Sequence, residues 1–251
     1  MKQFVLAFVF LFLLLMMMGT LFLGAVGADS NTIYVDARNS RDPHEDGSEE
    51  HPFDRVQEGV YAASPGDVVF VASGIYYEDI VIRKPLTLKG AGKSTTFIYG
   101  DGKDVGFEIA ADNVEISGFT ILNFGRGIYI SGRGNTLSDN VVANNQDGVY
   151  IQSSNSNVIS GNAMTSNEFS AIYIDFSLNN TIRGNRIVGN KEGVFLDQST
   201  GNVIDDNMIA SNSWMGVGLY NSRNNTVRDN TISNDDTGID MAGSTGNVIV
   251  G

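Results

Sequence analysis

The strongest constraint on this chain is a set of asparagines that return at a nearly fixed interval. Asn135, Asn157, Asn180, Asn202, Asn225 and Asn247 form one column. Asn140, Asn162, Asn185, Asn207 and Asn230 form a second, and Asn123, Asn145, Asn167, Asn190, Asn212 and Asn234 a third. In phase with them run Gly127, Gly148, Ala171, Gly193, Gly216 and Gly238, at intervals of 21, 23, 22, 23 and 22 residues. Of 25 asparagines, 23 lie from Asn113 onward, so the repeat is confined to that stretch. A period of this size means one small unit stacked on copies of itself.

A period near 22 suits a leucine-rich repeat or one coil of a parallel β-helix. The apolar residues decide between them. Each unit opens with an alternating pair: Ile128/Ile130, Val149/Ile151, Ile172/Ile174, Val194/Leu196, Val217/Leu219 and Ile239/Met241. Ile and Val at period two read as strands, and no helical segment with Leu at fixed sites is present. Further strands centre on Leu137, Ile159, Ile182, Ile204 and Val227, and on Val142, Met164, Ile187, Ile209 and Ile232. Three short strands per turn predict an all-β, three-sided solenoid of about 22 residues per coil and roughly eight coils. Stacked coils put each Asn about 4.8 Å from its equivalent, so amides can bond along the stack. Asn and Gly also tolerate the left-handed backbone of a sharp corner.

Before the regular coils, Phe107 and Ile109 open one more rung, and looser strands are expected at Val68–Val71, Ile80–Ile82, Leu86–Leu88 and Thr96–Ile98. Pro52–Ala63 reads as an amphipathic helix, with Phe53, Val56 and Val60 on one face and Pro65 and Gly66 behind it. Such a helix would cover the open core of the first coil. The organisation expected is therefore 1–28, 29–66 as a lead-in loop and capping helix, and 67–251 as β-helix. The last coil stops soon after Asn247, without a third strand or cap. Further sequence, a partner or a second copy is expected over it.

Residues 1–28 have a different logic. Lys2 precedes an apolar run from Phe4 to Val26, with small residues up to Ala28. This reads as a secretory signal peptide cut after Ala28, or, given its length near the about 20 residues of a membrane span, as a retained N-terminal anchor. Either way the remainder is expected to be secreted or at the cell surface. With 16 Lys and Arg against 29 Asp and Glu, the net charge is −13, which argues against nucleic acid and anionic lipid as partners. The absence of cysteine excludes disulfides, thiolate metal sites and a cysteine nucleophile. The only histidines are His44 and His51, both ahead of the coils.

On the first strand of each coil the outward residues form two columns. One is Glu108, Tyr129, Tyr150, Tyr173, Phe195, Gly218 and Asp240; the other is Ala110, Ser131, Gln152, Asp175, Asp197, Tyr220 and Ala242. Four aromatics in a row, with Gln152 and Tyr220 beside them, are the candidate carbohydrate platform, because rings take the C–H face of a sugar while phenols bond its hydroxyls. Aromatic ladders also pair well within sheets for purely structural reasons. Asp175 and Asp197 fall opposite each other in adjacent coils. Two carboxylates that close call for relief, and Ca²⁺ with Gln152 is the candidate cofactor. The same spacing would also suit a retaining glycosidase. Asn179 and Asn224 head Asn-x-Thr sequons and are candidate glycosylation sites.

The stretch Ala171–Ile182 with Gly184–Asn185 resembles the right-handed parallel β-helix repeat of the pectate-lyase-like superfamily. Ser64–Gly92 and Glu45–Val60 are similar to the opening of NosD-type surface and exported proteins. The resemblance spans about residues 32 to 251. It implies a right-handed coil, but not one activity, since the fold hosts lyases, hydrolases, esterases, epimerases and non-catalytic modules. Gly74–Glu78 resembles a short motif of pectin methylesterases, whose catalytic Asp and Arg motifs are not found. Asp42–Glu45 matches the catalytic tetrapeptide of mannuronan epimerases, but sits ahead of the coils instead of on a mid-solenoid strand. The His and Arg-Ile-Lys segment of polygalacturonases are missing, and Asp205–Asp206 lies among arginines that give it an ion-pair role. Copper, which the NosD resemblance implies, needs soft or imidazole ligands; the coils hold no His or Cys, and Met164, Met208 and Met241 are expected to be core fillers.

The leading expectation is an exported, non-catalytic protein that binds or organises polysaccharide at the cell surface. The alternatives are a polysaccharide lyase, hydrolase or epimerase working at the Tyr129–Asp197 face, and a structural repeat module of a larger surface protein.

Overall fold

The computed structural model describes residues 30–40 and 42–251; the expected signal segment lies outside the described residues. The fold is a right-handed parallel β-helix of about eight turns. Every strand pair is parallel. Sheet I has ten strands, from Thr32–Val35 to Val248–Val250. Sheet II has eight, among them Arg126–Ile130, Asp147–Gln152, Ser170–Asp175, Glu192–Asp197 and Met215–Tyr220. Sheet III also has eight, from Gly74–Tyr76 to Thr231–Ser233. Each coil contributes one strand to sheet II, then I, then III.

The inward residues form one continuous core. Ile128, Ile130, Ile151, Ile172, Ile174, Val194 and Leu196 are fully buried, as are Ile159, Ile182 and Ile204 from sheet I and Met164, Ile187 and Ile209 from sheet III. Branched side chains suit this pleated surface because they have few rotamers to lose. The Gly column has a steric cause. A Cβ on Gly148 would lie 2.5 Å from the Ala171 carbonyl oxygen, and one on Gly193 2.3 Å from that of Gly216.

At the corners the asparagines act as pegs between coils. Asn185 shows the pattern. Its Oδ1 accepts from the backbone N–H of Asn162 at 2.9 Å and from Asn162 Nδ2 at 3.2 Å. Its own Nδ2 donates to Ile159 O at 2.8 Å and to Asn207 Oδ1 at 3.0 Å. One carboxamide thus ties three coils. The left-handed residue is the one just before each peg: Gly134, Ser156, Asn179, Gly201, Asn224 and Gly246 in the first column, and Asp139, Gly161, Gly184, Asp206 and Asp229 in the second. The expectation that one Asn does both jobs is corrected. A peg needs its side chain directed along the stack, while the sharp turn is made one residue earlier. The third column is corrected at both ends for the same reason. Asn123 and Asn234 are left-handed residues (φ 62 and 59), Phe124 begins the peg column and Asp235 ends it, accepting from Asn212 Nδ2 at 2.8 Å. A serine ladder, Ser154, Ser177, Ser199, Ser222 and Ser244, makes a further bend between sheets II and I in the same manner.

The N-terminal segment is more than a loop and a helix, since Thr32–Val35 pairs with Val68–Val71 as the first strand of sheet I. The helix is Val56–Ala62, shorter than expected. Its start is fixed by Glu78, whose carboxylate accepts from the N–H of Val56 at 2.8 Å and of Gln57 at 3.1 Å. Gln57 then imitates a strand: its Oε1 accepts from Val81 N at 2.7 Å and its Nε2 donates to Val81 O at 3.3 Å. The helix therefore closes the edge of sheet II as well as the core. Two expected core methionines are corrected. Met208 points outward and is 45% exposed; Met241 has the inward register opposite Leu219 but is 51% exposed on the last coil. Val248, Ile249 and Val250 of that coil are also exposed.

Removing a peg should be costly. Asn185→Ala is expected to lower stability by on the order of 1–3 kcal/mol in chemical denaturation, because Asn162 and Ile159 are left with unpaired buried groups. In the lead-in loop, His51 Nδ1 lies 2.6 Å from Asp42 Oδ2. That contact raises the His51 pKa and lowers that of Asp42 to about 2. The histidine's contribution is full below its ordinary value of about 6.5 and disappears as pH rises through the raised midpoint. The aspartate's contribution is full above about 3.9 and disappears as pH falls through about 2. NMR titration should place the His51 midpoint above 6.5, and Asp42→Asn should return it towards that value.

Candidate functional site

The outward face of sheet II carries the two expected columns in register. Tyr129 pairs with Glu108 and Tyr150, Tyr150 with Tyr173, Tyr173 with Phe195, and Phe195 with Gly218. Gln152, Asp175, Asp197 and Tyr220 follow one another in the second column. The rings make one stacked row, with centroids 5.9 Å apart for Tyr129–Tyr150, 4.8 Å for Tyr150–Tyr173, 5.3 Å for Tyr173–Phe195 and 4.9 Å for Phe195–Tyr220. Tyr220 joins from the second column because Gly218 leaves room. A Cβ there would lie 2.5 Å from the Phe195 ring.

The row is less exposed than its sequence suggests. Tyr150 is buried, and Tyr129, Tyr173, Phe195 and Tyr220 are half-buried. Tyr150 is covered by Arg126, whose guanidinium carbon stands 4.2 Å from the ring centroid and 5.3 Å from that of Tyr129. The pattern of outward positions could not show this, because Arg126 reaches across from the preceding coil. Burial, aided by the Asp175 charge, pushes the Tyr150 phenol up, and burial pushes that of Tyr173 up to about 12. A short bond to Asp240, 2.6 Å, raises Tyr220. These phenols are neutral donors at any ordinary pH.

The polar groups are organised around Asp175. Its Oδ2 accepts from Tyr150 Oη at 3.2 Å and from Gln152 Nε2 at 3.3 Å, while Gln152 Oε1 accepts from Tyr129 Oη at 2.9 Å. Asp197 takes its donor from the opposite direction, Asn221 Nδ2 at 3.1 Å. The two carboxylates are neighbours in register, yet each has its own neutral donors. The Asp205 expectation holds, with Arg228 Nη2 3.1 Å from its Oδ2. Asn179 and Asn224 are exposed, both with φ 54, in one corner column with Gly201 between them.

A third outward column, not anticipated from the sequence, stands at the strand starts: Arg126, Asp147, Ser170 and Glu192. Ser170 Oγ donates to Glu192 Oε2, and Ser170 N to Asp147 Oδ1 at 3.3 Å. Burial raises the Asp147 carboxyl, against the pull of the Ser170 N–H and Arg126. Their position just before the Gly column was the available signal. Also missed was the chain's single tryptophan. Trp214 and Phe169, each about two-fifths exposed, flank Lys191, whose Nζ lies 5.5 and 5.4 Å from their centroids.

The motifs ahead of the coils are structural or isolated. In Gly74–Glu78, Tyr76 is buried with its Oη donating to Ala72 O, and Glu78 caps the helix. In Asp42–Glu45, His44 is exposed and Asp42 is engaged by His51. Glu45 joins Asp54 and Glu58, whose carboxylate oxygens come within 4.8 Å of one another.

Residues 73–251 match the family described as Periplasmic copper-binding protein (NosD). Copper favours imidazole, thiolate and thioether ligands. The matched region has no His or Cys; Met164 and Met215 are sealed in the core, and Met208 and Met241 lie on different sheets. The donor set does not fit copper. A Cell surface glycoprotein from Methanothermus fervidus is 33% identical over 95 residues, 37% of this chain and 16% of that protein, so the match spans about one-sixth of the relative. Among solved structures, a GH136 lacto-N-biosidase from Eubacterium ramulus superposes with TM-score 0.63 at 12% identity, over 88% of this chain and 56% of the other. Pectate lyase Pel9A gives 0.60 at 16% identity, over 88% and 78%. An alginate lyase from Paenibacillus gives 0.55 at 15%, over 87% and 95%. At these identities the likeness concerns the fold. The family match covers well over half of the sequence, and the chain belongs to the NosD family, with a coil region that lacks the copper ligands of the family's name.

Proposed function

We propose that this chain is an exported, non-catalytic β-helix protein that binds or organises polysaccharide at the cell surface. The observation that carries the reading is the row Tyr129–Tyr150–Tyr173–Phe195–Tyr220 on the face of sheet II. Its half-buried rings offer apolar edges and faces along several coils, and neutral phenol and amide groups lie beside them. That combination suits a chain of sugar rings, which presents C–H faces and hydroxyls in alternation. The partial cover keeps the rings fixed, so little rotamer freedom would be lost on binding. A surface location agrees with the family description and with the Cell surface glycoprotein relative. No helix among the described residues is long and apolar enough to cross a membrane. The solved neighbours include enzymes named for lyase and biosidase action on saccharides, which supports a carbohydrate ligand by analogy of fold.

A second reading, a polysaccharide lyase, hydrolase or epimerase, draws on Asp147, whose carboxyl is raised by burial within reach of Arg126. Against it, Asp175 and Asp197 are each bound to neutral donors of their own. A role as a structural module of a larger surface protein would need no ligand at all.

A glycan array read with and without Ca²⁺ tests these readings together. Binding without turnover is the expected outcome. Tyr173→Ala should weaken it about 3- to 10-fold with the fold intact, the worth of one aromatic contact. Tyr150→Ala is a poor probe because that ring is buried; it should lower stability instead. Product release from a uronate polymer would favour the enzyme, and no binding to any glycan would favour the structural module. If Ca²⁺ bridges Asp175 and Asp197, millimolar Ca²⁺ should raise the Tm, and Asp197→Asn should remove the rise.

A further inference from the structure

The corner that follows sheet II is made by a column in left-handed backbone: Ser153, Phe176, Gln198, Asn221 and Gly243, with φ of 49, 46, 47, 49 and 63. Four of these residues are small or polar. Phe176 is the exception, since bulky side chains rarely adopt this conformation. Nor is the ring repaid by burial, for Phe176 is 52% exposed and the nearby Leu178 45%. A strained backbone and an exposed ring at one position give the fold nothing that Asn or Gly would not give better. Strain of this kind gathers where a side chain must be presented to a ligand.

What stands beside the ring is polar. Phe176, Gln198, Thr200, Asn221 and Arg223 line an open groove of about 700 Å³ across three coils, within the range of small-ligand sites of about 300–1,000 Å³. Asn221 is held in place by its bond to Asp197 at 3.1 Å. The side chains of Gln198, Thr200 and Arg223 make no hydrogen bond or ion pair with the described residues. Arg223 also sits in a column with Leu178, Thr200 and Thr245, none of which bears a charge. The Arg223 guanidinium has no carboxylate partner among the described residues, and unlike the equally unpaired Arg83, Arg133, Arg183 and Arg186 it lines the groove beside Phe176. Its planar donor fork matches a carboxylate.

We propose that this groove is a subsite for one residue of an acidic polysaccharide. The Phe176 ring lies against the C–H face of a uronate-type sugar, Gln198 and Thr200 bond its hydroxyls, and Arg223 holds its carboxylate. The inference rests on the polysaccharide reading above and deepens it, because the corner column directly follows Gln152, Asp175, Asp197 and Tyr220. The groove thereby continues the aromatic row around the corner and adds selection for charge.

The test compares the wild type with Phe176→Asn, Arg223→Gln and Tyr173→Ala. Each is titrated calorimetrically with a galacturonate oligomer and with a neutral glucose oligomer of equal length, and each is melted. Asn is at ease in left-handed backbone, so Phe176→Asn should raise the Tm by about 2–4 °C while weakening uronate binding about 3- to 10-fold. A purely structural residue would not show that opposition. Arg223→Gln should weaken uronate binding about tenfold, with neutral binding and Tm unchanged. If uronate binding survives both groove variants but falls in Tyr173→Ala, the groove proposal fails and the polysaccharide reading stands. Equal affinity of the wild type for both oligomers, or a lower Tm in Phe176→Asn, also overturns the proposal. If the wild type binds neither oligomer, both ideas fail.

Discussion

A buried carboxamide that bonds its own equivalent one coil away is the interaction on which this structure depends. Parallel coils bring equivalent corners to the same place, so within a column a peg Asn meets the next Asn, or Asp235 at the end of the third column. Its amide satisfies the backbone N–H of the coil before, and its NH₂ reaches a carbonyl of that coil and the oxygen of the next Asn. A sharp corner leaves backbone groups without strand partners, and buried groups of that kind are costly to leave unpaired. The pegs remove that cost at the corners of the coils from Asn135 onward. Three Asn ladders and a Ser ladder therefore permit three flat strands per turn, and the flat strands permit a core of Ile and Val.

This arrangement also shapes the surface. Because register is locked coil by coil, outward residues of successive strands stand about 4.8 Å apart in straight columns. Any residue type repeated in a column becomes a stripe. On sheet II the stripe is aromatic, and the rings tilt and lean across columns into the tilted and edge-to-face pairs that the ring quadrupoles favour. Gly218 shows the adjustment, opening the space through which Phe195 reaches Tyr220. The stripe is a rigid element on a rigid scaffold, and that suits recognition of a linear polymer better than enclosure of a small molecule.

The same logic explains why the family name and the chemistry differ in this chain. A copper ion needs soft or imidazole donors converging from different directions. The coil offers carboxylates, amides and phenols in rows, and its methionines are sealed in the core or separated on different sheets. The fold preserves a scaffold, and what the scaffold carries is set by whichever residues occupy its outward columns.

Period, strand faces and coil number were legible in the sequence, because each is a local repeat: two residues for the faces and about 22 for the coil. The aromatic and acidic columns were legible for the same reason. What tertiary structure alone decided depends on side chains that cross from one coil to another. Asn123 and Asn234 look like pegs in sequence but make the left-handed turn, since both roles accept Asn and only the neighbouring coil distinguishes them. Tyr150 has the same outward position as Tyr173 but is buried, because Arg126 and Asp175 reach it from coils on either side. Glu78 caps a helix 22 residues before it, which no local pattern announces. The groove at Phe176 exists only where three coils stack. Sequence fixes what each coil presents; the stacking decides what those groups meet.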